Sequence, residues 1–166
     1  MAPTSPSSGV RAVAHAATQV SIADAEAMRV LGAALAAVAA PGDLLCLFGD
    51  LGAGKTQFAK GFGAGLGVTD TVSSPSFVLM AEYGGRLPLF HIDLYRLAAG
   101  GAAIADGLLD ERQAEGVTLI EWADRLGGGL PGARLDVRIA GVGEGPRTVH
   151  LAATDARHAH YVEAIP

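Results

Sequence analysis

The chain has 166 residues, a formal net charge of −5 and two lysines, Lys55 and Lys60, beside arginines scattered singly. This length suits one domain with a real core, and without a basic stripe a tight, direct grip on nucleic acid by this chain alone is not expected. No run of strongly apolar residues is long enough to span a bilayer, no secretory leader opens the sequence, and the lone Cys46 rules out a disulfide framework, so a cytoplasmic protein without membrane contact is expected.

Residues 1–9 are rich in Pro, Ser and Thr without periodicity and read as a disordered tail, with the domain proper over 10–153. Residues 10–20 hold a short first strand. Ser21 is expected to N-cap the next helix, with Asp24 as a short version of the capping-box acid. Met28, Leu31, Leu35 and Val38 give that helix its period, and Pro41-Gly42 stops it.

The run LLCLF (44–48) predicts a buried strand with Cys46 as an inert core thiol. It leads into GDLGAGKT (49–56), which fits G-x-x-x-x-G-K-[ST], and then into a helical segment. The glycines let several N–H groups turn inward as an anion-binding nest at the positive end of a helix. Lys55 can then reach the β- and γ-phosphates of a nucleotide, and the Thr56 hydroxyl can ligate Mg²⁺. A plain glycine-rich turn would not need the strand before and the amphipathic helix after. Phe58, Phe62 and Leu66 mark the buried stripe of that helix. Gly61, Gly63 and Gly65 each cost about 1 kcal/mol of helix propensity, so packing must hold it. Gly67 ends it.

Residues 68–75 form a polar, turn-rich connection, either a switch-like loop or an ordinary link. Residues 77–83 read as a strand, and LPLFHI (87–92) as a second one ending in Asp93. Residues 98–113 are expected to turn helical in their second half, anchored by Leu108 and Leu109. VTLI (117–120) is a further strand ending in Glu121-Trp122. Gly127-Gly128-Gly129 with Pro131-Gly132 reads as a flexible break. Alternation at Leu135, Val137, Ile139 and at Thr148, His150 around a GVGEGP turn predicts a C-terminal antiparallel hairpin. The tail 154–166 suits a short helix carrying Tyr161 and Ile165. This order predicts an α/β fold: a single P-loop NTPase domain whose mixed, mostly parallel sheet is flanked by helices. Ligands in such sheets collect at the carboxyl ends of strands, where Thr56, Asp93 and Glu121 would meet.

A P-loop holding Mg·ATP needs a carboxylate near the metal, and two strands end in one. Either Asp93 or Glu121 can serve Mg²⁺ while the other orients or deprotonates water; spacing does not decide between them. A helix-terminal acid or a surface charge is the plainer reading of each taken alone. Trp122 is either a core or interface aromatic or a contact near the nucleotide. Arg96 and Arg147 are placed either to meet phosphate or to pair at the surface. The five histidines show no metal-site spacing. ATP is favoured over GTP, because a guanine-reading N-K-x-D motif is impossible in a chain without asparagine.

Taken together, GDLGAGKT (49–56), VSSPSF (72–77), HIDLYRL (91–97) and LIEW (119–122) closely resemble the TsaE (YjeE) family, the bacterial ATPases of tRNA threonylcarbamoyladenosine biosynthesis. The resemblance implies a weak intrinsic Mg-dependent ATPase. It also implies binding to the TsaD–TsaB heterodimer, which modifies adenosine 37 of tRNAs reading codons that begin with A, so that tRNA is met only through the complex. By position it implies nucleotide phosphates on Gly52, Ala53, Gly54, Lys55, Thr56 and Gln57. It implies Mg²⁺ on Thr56 and Glu121, with Asp93 as a catalytic or water-orienting acid and Lys55 and Glu121 sharing in catalysis. Ser74-Pro75 would be switch-like, Trp122 would support the site, and Asp24, Ala25 and Arg147 would lie near the adenosine. Gln57 and Ser76 stand where the family usually has Thr, and both retain hydrogen-bonding ability. The competing reading is a small-molecule kinase with a P-loop fold, although no Arg-rich lid is visible.

Overall fold

Apolar runs without alternation, such as LLCLF and VTLIE, are suited to strands covered on both faces. The computed structural model describes residues 15–75, 79–97 and 109–165. These contain β1 (Ala16–Ile22), α1 (Ala25–Ala37), β2 (Leu44–Phe48), α2 (Lys55–Gly65), β3 (Met80–Tyr83), β4 (Leu89–Asp93), β5 (Val117–Glu121), β6 (Leu135–Ala140), β7 (Arg147–Ala153) and the short α3 (Ala159–Glu163). The strands form one seven-stranded sheet in the order β1-β7-β6-β2-β5-β4-β3. Its centre is parallel, with β2 between β5 and β6 and β4 beside β5. Its flanks are antiparallel: β7 pairs with β6 and β1, and β3 with β4.

The strands separate two apolar layers. Leu45, Leu47, Leu89 and Leu119 face α1 and α2, where Phe58, Phe62 and Leu66 are buried as their four-residue spacing predicts. Leu44, Cys46, Ile92 and Ile120 face the other way, onto Ala123 and Leu126. Burial pushes the Cys46 thiol well above its ordinary value, as an inert core thiol requires. Helix α2 keeps Gly61 and Gly65 because α1 lies close, whereas Gly63 makes room for Val72. A Cβ on Gly61 would collide with the Arg29 carbonyl, and one on Gly65 would sit 2.7 Å from the Ala33 carbonyl oxygen.

Several expected boundaries move. Asp24, not Ser21, caps α1: its Oδ1 accepts from the Ala27 N–H at 2.9 Å, while Ser21 is committed to β1 opposite Thr148. The glycine run at 127–129 completes 3₁₀ turns over Ala123–Gly129, kinked at Gly127 (φ 51°), rather than forming a free break. Glu111–Glu115 is a 3₁₀ turn where helix was expected. The expected tail 1–9, the start of the first strand, Ser76, Phe77 and the helix start over 98–108 lie outside the described residues.

Beyond β7, α3 returns to the start of β2. The buried Tyr161 hydroxyl donates to Asp43 Oδ2 at 2.5 Å, and the Ala40 N–H donates to the same oxygen at 2.9 Å. His158 Nε2 accepts from the Leu44 N–H at 3.1 Å, which ties the tail to the strand entering the glycine loop.

Candidate functional site

Parallel pairing of β2, β5 and β4 brings three carboxyl ends to one edge of the sheet. The loop after β2 turns through left-handed backbone at Gly52 (φ 81°) and Gly54 (φ 116°), which only glycine adopts without strain, and opens directly into α2. The first two helical residues are Lys55 and Thr56. Register fixes the acids: Asp93 at the end of β4 stands beside Glu121 at the end of β5.

Lys55 Nζ donates to the carbonyls of Gly49 at 2.6 Å and Asp50 at 2.8 Å, and it lies 4.1 Å from the centre of the Trp122 ring. Burial lowers the Lys55 pKa from its ordinary value, and the charges of Glu121 and Asp93 partly restore it. Trp122 reaches over the lysine because its own backbone is left-handed (φ 60°, ψ 41°), a turn that directs the ring back across the strand end. Tyr95 packs against Trp122 with ring centres 5.0 Å apart.

The Thr56 hydroxyl donates to Glu121 Oε1 at 3.3 Å, and Glu121 Oε2 lies 2.6 Å from His91 Nε2. Asp93 is held differently: the Ser74 hydroxyl donates to its Oδ2, and the Tyr95 N–H donates to Oδ1 at 2.9 Å. The two acids, indistinguishable by spacing, thus have distinct surroundings. Among the described residues no three His, Cys, Asp or Glu side chains converge on a point that could hold a metal ion unaided. The Thr56–Glu121 oxygen pair is the hard donor set that suits Mg²⁺, a cation that keeps several waters and shares its shell with substrate phosphates.

Two cavities meet along the glycine loop. One, of about 440 Å³, is lined by Lys55, Thr56, Ser74, Asp93, Arg96, Glu121 and Trp122. The other, of about 360 Å³, is lined by Asp24, Ala25, Met28, Glu144 and Arg147; Gly52, Gly54 and Gln57 border both. The Arg147 Nε–H donates to the Ala53 carbonyl at 3.0 Å and an Nη2–H to Gly143 at 2.6 Å, so this arginine clamps the loop to the β6–β7 turn. Gln57 Oε1 accepts from Arg29 at 2.5 Å. Every residue expected to hold phosphate, Mg²⁺ or nucleoside, or to act in catalysis, therefore lines one or other of these two adjoining cavities, Ala53 included although it is buried. Sequence reasoning gave no site role to His91, noted only for lacking metal-site spacing and as part of HIDLYRL, nor to Tyr95 or Arg29. The signal for His91 was available: a histidine two residues before Asp93 lies on the same face of a buried strand as that acid.

A buried strand, a left-handed glycine loop and a helix starting in Lys-Thr, beside acids on adjacent strand ends, define a P-loop nucleotide-binding domain. Comparison with known proteins narrows the class. Residues 22–149 match the model of the family described as threonylcarbamoyl adenosine biosynthesis protein TsaE. The tRNA threonylcarbamoyladenosine biosynthesis protein TsaE of Bacillus subtilis is 42% identical over 134 residues, covering 80% of this chain and 84% of that one. Its namesake from Streptomyces coelicolor is 40% identical, covering 79% and 86%. The crystal structure of Bacillus subtilis YdiB superposes with a TM-score of 0.75 at 36% identity, covering 89% of this chain and 93% of that one. The chain belongs to the TsaE family.

Proposed function

We propose that this chain binds Mg·ATP, hydrolyses it slowly, and acts through that cycle on a TsaD–TsaB complex within tRNA threonylcarbamoyladenosine biosynthesis. The observation that carries the reading is the convergence of Lys55, Thr56, Asp93 and Glu121 on one cavity at the carboxyl edge of the sheet. Family membership supports the pathway and, by analogy, the partner complex.

The chain's own residues divide the work as follows. Lys55 exchanges the Gly49 and Asp50 carbonyls for phosphate oxygens, and the loop N–H groups and the α2 N-terminus complete the cradle. Thr56 Oγ1 and Glu121 Oε1, 3.3 Å apart, would hold Mg²⁺, which would supply neutralisation of charge on the phosphates. Asp93, its carboxylate oriented by Ser74 and the Tyr95 N–H, orients the attacking water and accepts its proton. Trp122 covers Lys55 and screens it from solvent. The second cavity, beside Asp24, Ala25 and Arg147, takes the nucleoside.

Purified protein is expected to turn over ATP slowly with Mg²⁺ and no acceptor. Lys55→Ala and Glu121→Ala should each cut that turnover by roughly 100-fold or more, in the range of losing a transition-state charge partner. Unchanged turnover in both would sink the site assignment. The partner reading is tested by co-elution with TsaD and TsaB with and without ATP; no association in any nucleotide state points instead to a small-molecule kinase.

A further inference from the structure

Glu121 is buried, and its two oxygens have different partners. Oε1 meets the Thr56 hydroxyl at 3.3 Å, whereas Oε2 lies 2.6 Å from His91 Nε2. His91 is fully buried in the middle of β4. A carboxylate only accepts, so Nε2 is the donor in this contact. The other ring nitrogen, Nδ1, is buried with no hydrogen-bond partner among the described residues. The polar chemistry of this imidazole is therefore directed at Glu121 alone. A side chain kept only to fill space between strands would not need a ring N–H there, and burying an imidazole with one nitrogen unpaired carries a desolvation cost that an apolar residue avoids.

The strand register explains the reach. Asp93 stands beside Glu121 across β4 and β5, and His91 is two residues earlier on the same face, diagonal to Glu121. From there it can hold Oε2 without entering the cavity. Without that hold, the nearby Lys55 ammonium, which already feels the Glu121 charge, would compete to turn the carboxylate toward itself.

We infer that His91 is a positioning residue, fixing Glu121 Oε2 so that Oε1 stays turned to Thr56 and free to bind Mg²⁺. This rests on the proposed reading of Thr56 and Glu121 as the Mg²⁺ ligands. A partner that orients a metal ligand typically contributes about 10–100-fold in metal affinity.

Three variants test it. His91→Gln places an amide N–H near the position of Nε2, His91→Asn is polar but one carbon shorter, and Glu121→Gln removes the metal-binding charge. A fluorescent ATP analogue is titrated with each protein, first in EDTA and then across Mg²⁺ concentrations, with thermal melts alongside. His91→Asn is expected to raise the half-saturating Mg²⁺ by about 10–100-fold while leaving Mg²⁺-free binding unchanged, and His91→Gln to stay within a few-fold of the parent. Equal Mg²⁺ dependence of His91→Asn and His91→Gln, or loss of Mg²⁺-free binding as large as the Mg²⁺ effect, overturns the inference. If Glu121→Gln itself leaves the Mg²⁺ dependence unchanged, the metal assignment has failed. If Glu121→Gln is impaired and His91→Asn is not, only the positioning role has.

Discussion

Lys55 is held by two carbonyl oxygens and the face of Trp122, so meeting a phosphate requires it to give up partners it already has. Trp122 is the only tryptophan in the chain, which makes that exchange observable. Adding Mg·ATP should change the intrinsic tryptophan emission, and Lys55→Ala should shift the resting emission and remove most of the nucleotide-dependent change. An unchanged signal in the parent protein would mean that the lysine stays on the indole. At this scale much was legible beforehand. The acids at 93 and 121 could be read because each closes an apolar run, and Lys55 and Thr56 because a motif names them. What could not be read was the partner of each acid. That depends on which strands are neighbours, and nothing local to His91 or Ser74 reports that β4 lies beside β5 or that the loop before β3 folds over Asp93. The same applies to Ser21, which has the right chemistry for a cap and is drawn into a strand by its pairing with β7.

The pairing of α1 with α2 shows an element trading local propensity for packing. Read from sequence, the α2 glycines were only a cost; in the fold Gly61 and Gly65 are what lets α1 approach. Gly61→Ala gains about 1 kcal/mol of helix propensity. It also forces a methyl into the Arg29 backbone, where relief means moving one helix, an overpacking cost of about 1–3 kcal/mol or more. The expected result is a net loss of stability, seen as a melting temperature lower by several degrees. A higher melting temperature would show that α1 can shift cheaply. Because Gln57, on the first turn of α2, bonds to Arg29 on α1, a shifted α1 should also weaken nucleotide binding.

At the scale of the molecule, the hairpin and the buried strands were predictable from pattern, whereas the sheet order was not. Alternation tells that β6 and β7 pair, but not that β6 inserts beside β2 or that β1 closes on β7. Nor does it tell that α3 locks the far end of β2 through Tyr161 and Asp43. Burial, then the Asp43 hydrogen bond and charge, push the Tyr161 phenol well above its ordinary value of 10.0. In the unfolded chain this phenol ionises near pH 10, whereas the folded protein keeps its proton, so unfolding releases a proton there. Its contribution is therefore full below about pH 10 and is lost as the pH rises further. Tyr161→Phe should lower stability at neutral pH by about 1–3 kcal/mol, because the buried Asp43 loses a donor. The variant should also show a shallower alkaline decline in denaturant melts than the parent. Equal slopes above pH 10 would mean that the phenol is not protected.

The sheet order also bears on how the protein is made. The strand that carries the glycine loop emerges early, yet both of its neighbours, β5 and β6, are synthesised later, and the arginine clamping the loop, Arg147, follows later still. On a ribosome, β2 therefore waits with two unpaired edges until most of the chain has been translated. The glycine loop is then among the last parts of the protein to reach its final shape, so a truncated or stalled chain carries the motif without the fold that shapes it.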